Sequence, residues 1–211
     1  MLRSITLPWL SWMLVTIIGS ILGEYFSNVI SGWFFPDLHF LKQQILSLLT
    51  RIAVHGLVIA FFQWVIILSK LKKSWIWIPA TSIGLPLGAI IGFWVNDFFA
   101  RYVFSWLFPS ITYPSDAGTF AVVIGAGMFA GWLQCAVTNR KLRESLIWAI
   151  VSGLCWTIAV NPITVIYIKK LNLYFIPYTQ GILIGASIGI ISGAFFKSTF
   201  MNLESESKMF K

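Results

Sequence analysis

The chain has 211 residues with a net charge of +8, 58% of them hydrophobic and only 10% charged, and its mean hydropathy is +0.83. Soluble domains carry about 25% charged residues; this chain could not cover its surface with polar groups in water, so its first partner is the lipid bilayer. The positive balance reads as loop charge against an anionic membrane face, and no phosphate loop, zinc spacing or nucleic-acid motif is present, which excludes nucleic acid as a partner.

A helix needs roughly 20 apolar residues to cross a bilayer, and six runs answer to that description. The first, 5–24, follows Arg3 and lacks a small-residue cleavage site, so it reads as a retained helix that doubles as the insertion signal. The others are 52–69, 75–96, 119–138, 145–168 and 177–196, making one transmembrane domain over 1–200, and 201–211 is a short polar tail. Lys70, Lys72 and Lys73 sit in one tight turn, Arg140, Lys141 and Arg143 in another. With Arg3, Lys197, Lys208 and Lys211 they outnumber the basic residues of the opposite side, Lys42, Arg51, Arg101, Lys169 and Lys170. The positive-inside rule then places both termini in the cytoplasm. The expected membrane is the bacterial cell (inner) membrane, with an internal photosynthetic membrane as the alternative.

Internal similarity organises these runs. Trp12, Trp77 and Trp148 align, followed four residues later by Thr16, Thr81 and Ser152, and seven later by Gly19, Gly84 and Cys155. In the even runs Gly56 and Gln63 match Gly127 and Gln134; aligning the last run on Gly189 puts Phe196 where the glutamine would stand. The expected fold is therefore an all-α integral membrane protein of six transmembrane helices, built as three tandem helical hairpins. Such parallel repeats are related by an axis along the membrane normal.

Small residues at four-residue spacing let helix backbones approach where lipid offers no hydrophobic drive. Gly19 and Gly23, then Gly84, Gly88 and Gly92, then Gly127 and Gly131, and finally Gly181, Gly185, Gly189 and Gly193 are read as such packing faces. Gln63 and Gln134 are polar groups inside apolar runs. Either their amides cross-link helices, at about 0.6 kcal/mol per bond, or they line a pathway.

At these residues the sequence resembles a group of uncharacterised bacterial multi-pass membrane proteins. They share Gly-x-x-Gln-Trp on one helix, a Leu-basic turn and a Trp-rich helix with spaced small residues. Here the pattern reads Gln63-Trp64, Leu71-Lys72-Lys73 and Trp75/Trp77, then Gly131, Gln134, Leu142-Arg143 and Trp148, with Cys135 replacing the second Trp. That resemblance implies a membrane location and no established activity. By size and topology the chain also resembles the substrate-binding subunits of modular vitamin transporters, without their specific motifs.

On the non-cytoplasmic side Glu24, Arg51, His55 and Asp97 lie at or near span ends, and Asn161-Pro162 interrupts the fifth run. As interfacial groups they would snorkel outward or pair with one another. As a site they would converge on the bundle axis, with Glu24, His55 and Asp97 binding or relaying and Arg51 neutralising. His39 and His55 are the only histidines, Cys135 and Cys155 fall in apolar runs, and no nucleophile–base pattern stands out. The expectation is no enzyme, no metal and no cofactor. Two functions fit: a small-molecule or ion carrier, or its membrane-embedded substrate-binding subunit; and a non-catalytic subunit or assembly factor of a larger membrane complex. Glycine faces buried within the bundle favour the first, exposed ones the second.

Overall fold

The computed structural model describes residues 3–36, 41–68, 74–107, 115–137, 142–160 and 179–200. Six long helices account for most of them: α1 (Arg3–Phe34), α2 (Leu41–Ile67), α3 (Trp77–Phe98), α4 (Ser115–Val137), α5 (Leu142–Val160) and α6 (Thr179–Phe200). A 3-10 turn, Ser74–Ile76, leads into α3, and a π-helical stretch, Phe99–Phe104, carries it on to a last short turn, Ser105–Leu107.

Local chemistry sets the boundaries. Pro36 pushes the preceding residue out of the α region, so α1 stops at Phe34, and Phe35 N closes its last turn on Ser31 O (2.9 Å). α1 and α2 nevertheless run well past the limits suggested by hydropathy, through 25–34 and 41–51. The serines that dilute the apolar signal there are satisfied inside the protein. Ser27 Oγ donates to Glu24 O (3.0 Å), and the Ser31 and Ser47 hydroxyls bond each other across the two helices (2.5 Å).

The expectation of six transmembrane helices in three hairpins is corrected. Among the described residues three helices are long and apolar enough to cross a membrane: Leu10–Phe34, Gln43–Ile67 and Ser74–Val103. The apolar parts of α4 and α6 are shorter, Phe120–Ala136 and Ile184–Gly193, below the roughly 20 residues a crossing needs. The physical reason is that charge-free sequence was counted as apolar length. Thr119 opens the fourth run and Thr179 and Gln180 fall in the sixth, while of the fifth run, 145–168, residues 161–168 lie outside the described residues. The placement of both termini in the cytoplasm rested on an even number of crossings and falls with that count. The basic turns around Lys70–Lys73 and Arg140–Lys141, Lys169 and Lys170, and the 201–211 tail lie outside the described residues.

Each helix packs on its neighbours in sequence, and α6 packs back on α1, closing a ring. Glycines set the distance of closest approach at most of these seams. Gly19 and Gly23 of α1 rest on Ile59 and His55 of α2; Gly84, Gly88 and Gly92 of α3 rest on Ala130, Ala126 and Ala121 of α4. Gly127 and Gly131 of α4 meet Gly153 and Ala149 of α5, and Gly181, Gly185 and Gly189 of α6 descend along Ile21, Ile17 and Met13 of α1. Gly193 is buried as well. The glycine faces are spent inside the ring.

The outside of the ring is apolar. Leu14, Ile18, Val65, Phe93 and Leu154 are among the large apolar residues exposed on its outside, and Trp33 and Trp106 are 79% and 78% exposed. Such a surface suits hydrocarbon, and exposed indoles suit the zone where hydrocarbon meets headgroups. Inside, Trp12, Trp77 and Trp148 are buried among Ala60, Ile67 and Cys135. The chain is a helical membrane protein.

Candidate functional site

Two polar layers cross the interior of the ring. The first is built on the three buried tryptophans. Trp12 and Trp77 meet edge to face at 6.0 Å, and Trp77 and Trp148 are tilted at 6.4 Å. Trp77 Nε1 donates to Gln63 Oε1 (3.2 Å), and Gln63 Nε2 donates to Thr16 Oγ1 (3.2 Å). The same relay recurs one position round the ring: Trp148 Nε1 donates to Gln134 Oε1 (2.8 Å), and Gln134 Nε2 donates to Thr81 Oγ1 (2.7 Å). Each threonine turns its own proton back to a carbonyl one helical turn earlier, Thr16 to Trp12 O (2.8 Å) and Thr81 to Trp77 O (2.9 Å). Its oxygen is thereby left to accept from the amide.

At the third position the relay is shortened. Trp12 Nε1 donates to Ser192 Oγ (2.9 Å), and Ser192 Oγ donates to Ile188 O. Ser192 lies seven residues after Gly185, the spacing of Gly56 to Gln63 and of Gly127 to Gln134. A serine is three heavy atoms shorter than a glutamine, and beside it lies a cavity of about 20 Å³ lined in part by Gln63, Gln134, Ser152 and Ser192. That is space for a single water with several polar partners.

The Gln63→Leu substitution tests what the relay contributes. It takes away the acceptor that Trp77 Nε1 uses and the donor that reaches Thr16, and groups buried without such partners cost about 1–3 kcal/mol. We expect a thermal midpoint lower by roughly 2–12 °C in detergent, followed by helical circular dichroism. An unchanged midpoint would mean that the amide is incidental.

The second layer lies toward the other end of the ring. Glu24 and Ser27 of α1, Arg51 and His55 of α2, Trp156 of α5 and Ile184 of α6 line a cavity of about 150 Å³. Its polar side chains are held by neutral partners. Gly181 N, in the first turn of α6, donates to Glu24 Oε2 (2.6 Å); Arg51 Nη2 donates to Asn28 Oδ1; and His55 Nε2 shares a proton with Ser20 Oγ (3.0 Å). The His55 ring meets Trp156 edge-on at 6.0 Å. Glu24 therefore also serves as a cap, placing negative charge at the start of α6 where the helix dipole favours it. Trp156 lines the small central cavity too, so one indole forms a wall of both spaces.

Of the outer residues singled out in the sequence, the fold brings Glu24, Arg51 and His55 together. Asp97 stands apart, in an ion pair with Arg101 one helical turn on (2.8 Å), at the end of α3. The arginine there is 69% exposed, which makes this an interfacial pair of small energetic weight. Asn161 lies outside the described residues. Ser20, Ser27, Trp156 and Ser192 had not been singled out. Ser192 has a signal in the seven-residue interval from a glycine; the others have none short of knowing which helices are neighbours. Among the described residues no group of His, Cys, Asp and Glu could hold a metal ion, and Cys135 and Cys155 are buried thiols that form no disulfide.

These features define a multi-helix membrane protein with, among the described residues, buried polar relays and a cavity lined by Glu24, Arg51 and His55. The chain matches no protein-family model, no curated protein and no solved structure.

Proposed function

We propose that this protein binds a small solute or ion within the membrane, as a carrier or as the substrate-binding subunit of one, and that the Glu24–Arg51–His55 cavity is the site. The observation that carries this reading is convergence. Charges that merely serve the interface point to headgroups and water, as the Asp97–Arg101 pair does. Glu24, Arg51 and His55 instead line one space of about 150 Å³. The burial of the α6 glycines against α1 favours a closed body over a subunit that offers this ridge to a larger complex.

The test is thermal unfolding of the purified full-length protein against a panel of inorganic cations, anions, and small cationic, anionic, zwitterionic and neutral organic solutes. A ligand at a hundred times its Kd adds about 2.7 kcal/mol. For a chain of this size that raises the midpoint by roughly 5–10 °C. We expect at least one class to do so, and Ile52→Trp, which adds bulk to the cavity wall, to abolish the shift. A panel without effect, together with stoichiometric co-purification of subunits of a respiratory, photosynthetic or secretion complex, would overturn the reading.

A further inference from the structure

We propose that the larger cavity takes a small zwitterion, its cationic group at Glu24 and its anionic group at Arg51. The inference rests on the solute-binding reading above and narrows it to one chemical class. Glu24 and Arg51 border the same space, yet no carboxylate–guanidinium contact joins them. The carboxylate accepts from Gly181 N, and the guanidinium donates to Asn28 Oδ1. Opposite charges in surroundings poor in water attract strongly at short range. Here each is held from a different helix by a neutral partner, and both border the cavity.

That arrangement discriminates among ligands. A simple cation at Glu24 would meet the positive charge of Arg51, and a simple anion at Arg51 would meet the carboxylate. A molecule that carries both charges gains a charge-assisted contact at each end. The cavity is about 150 Å³, on the measure by which about 10–15 Å³ holds one water, so a small amino acid fits. Ile52 and Ile184 supply apolar walls for a short carbon skeleton. Arg51 is exposed at the mouth while Glu24 is half-buried, so the ligand would enter with its cationic end leading.

Calorimetric titration of the full-length protein in detergent tests this, with glycine, alanine and glycine betaine as zwitterions and methylammonium, sodium and acetate as the separated charges. We expect at least one zwitterion to bind at least about tenfold more tightly than any of the singly charged probes. Arg51→Gln and Glu24→Gln should each weaken it about ten- to hundredfold, the range for a hydrogen bond to a charged group. Arg51→Lys should lose less than Arg51→Gln, because it keeps the charge. Glu24→Gln retains an acceptor for Gly181 N, and an unchanged circular dichroism melt excludes misfolding as the cause. Methylammonium, sodium or acetate binding as tightly as the zwitterions would overturn this inference and leave the solute-binding reading standing. Absence of binding by all three zwitterions would also overturn it, and the wider panel above then decides separately whether any solute is bound.

Discussion

Trp77→Ala should lower the stability of the folded protein by about 3 kcal/mol. Trp77 is 1% exposed and touches both of the other interior indoles, so its loss opens a cavity at the middle of the ring. In lipid the transfer term familiar from soluble cores is largely absent, since the surrounding hydrocarbon is as apolar as the interior. What remains is lost contact. A cavity penalty of about 24 cal/mol per Å³ over roughly 140 Å³ of deleted side chain gives about 3 kcal/mol, or roughly 6–12 °C in the melting midpoint. Trp77→Phe keeps a six-membered ring in the site while removing the donor to Gln63 and three heavy atoms of the indole. It should cost about 1–3 kcal/mol. If the alanine variant melted no lower than the phenylalanine variant, packing of the three indoles would not be what holds the centre.

The sequence made some of this legible and hid the rest for identifiable reasons. The membrane class follows from composition, because no folding of so few charges can dress a soluble surface. The spacing of Trp12 to Thr16 and of Trp77 to Thr81 marked residues that do meet in one relay, since one helical turn puts them on one face whatever the neighbours are. Gln63 stood out because an amide among apolar residues is conspicuous. What the spacing could not give was the partner. That Gln63 reaches both Thr16 and Trp77 depends on α1 and α3 flanking α2, a fact of the ring rather than of any local segment. The helix limits were misjudged where serines satisfied inside the protein diluted the apolar signal, as at Ser31 and Ser47. Crossing length was overestimated where small and hydroxylated residues passed as apolar, as at the start of α4. Glu24 and His55 illustrate the last limit. They are 31 positions apart in sequence, and only the close approach that Gly23 allows, with the ring of α1 and α2 seamed beside it, sets both on one cavity.

Gly88→Leu is the second substitution with a large expected effect, and it tests the closing of the ring directly. A Cβ at Gly88 would be driven into Gly125 O and would lie 2.7 Å from Phe129 Cβ and 2.8 Å from Ala126 Cα. Two of the three obstacles are backbone, which no rotamer change can move aside. The helices α3 and α4 must therefore separate, and they would carry apart the buried cluster of Leu85, Ala89, Ala126 and Ala130 that the seam holds together. Overpacking in a well-filled interior costs about 1–3 kcal/mol and occasionally more; with a full leucine against backbone we expect the upper end, roughly 6–12 °C in the midpoint. Gly88→Ala should show a smaller loss of the same sign. Gly32→Ala is the control, because nothing lies within 4 Å of the position a Cβ would take there. The gain in helix propensity should stabilise by about 0.5–1 kcal/mol. Circular dichroism melts of the three variants decide the matter. Opposite signs at Gly88 and Gly32 mean that glycine is kept at Gly88 for contact, whereas equal small effects would mean that α3 and α4 do not approach backbone to backbone and that the ring closes by other means.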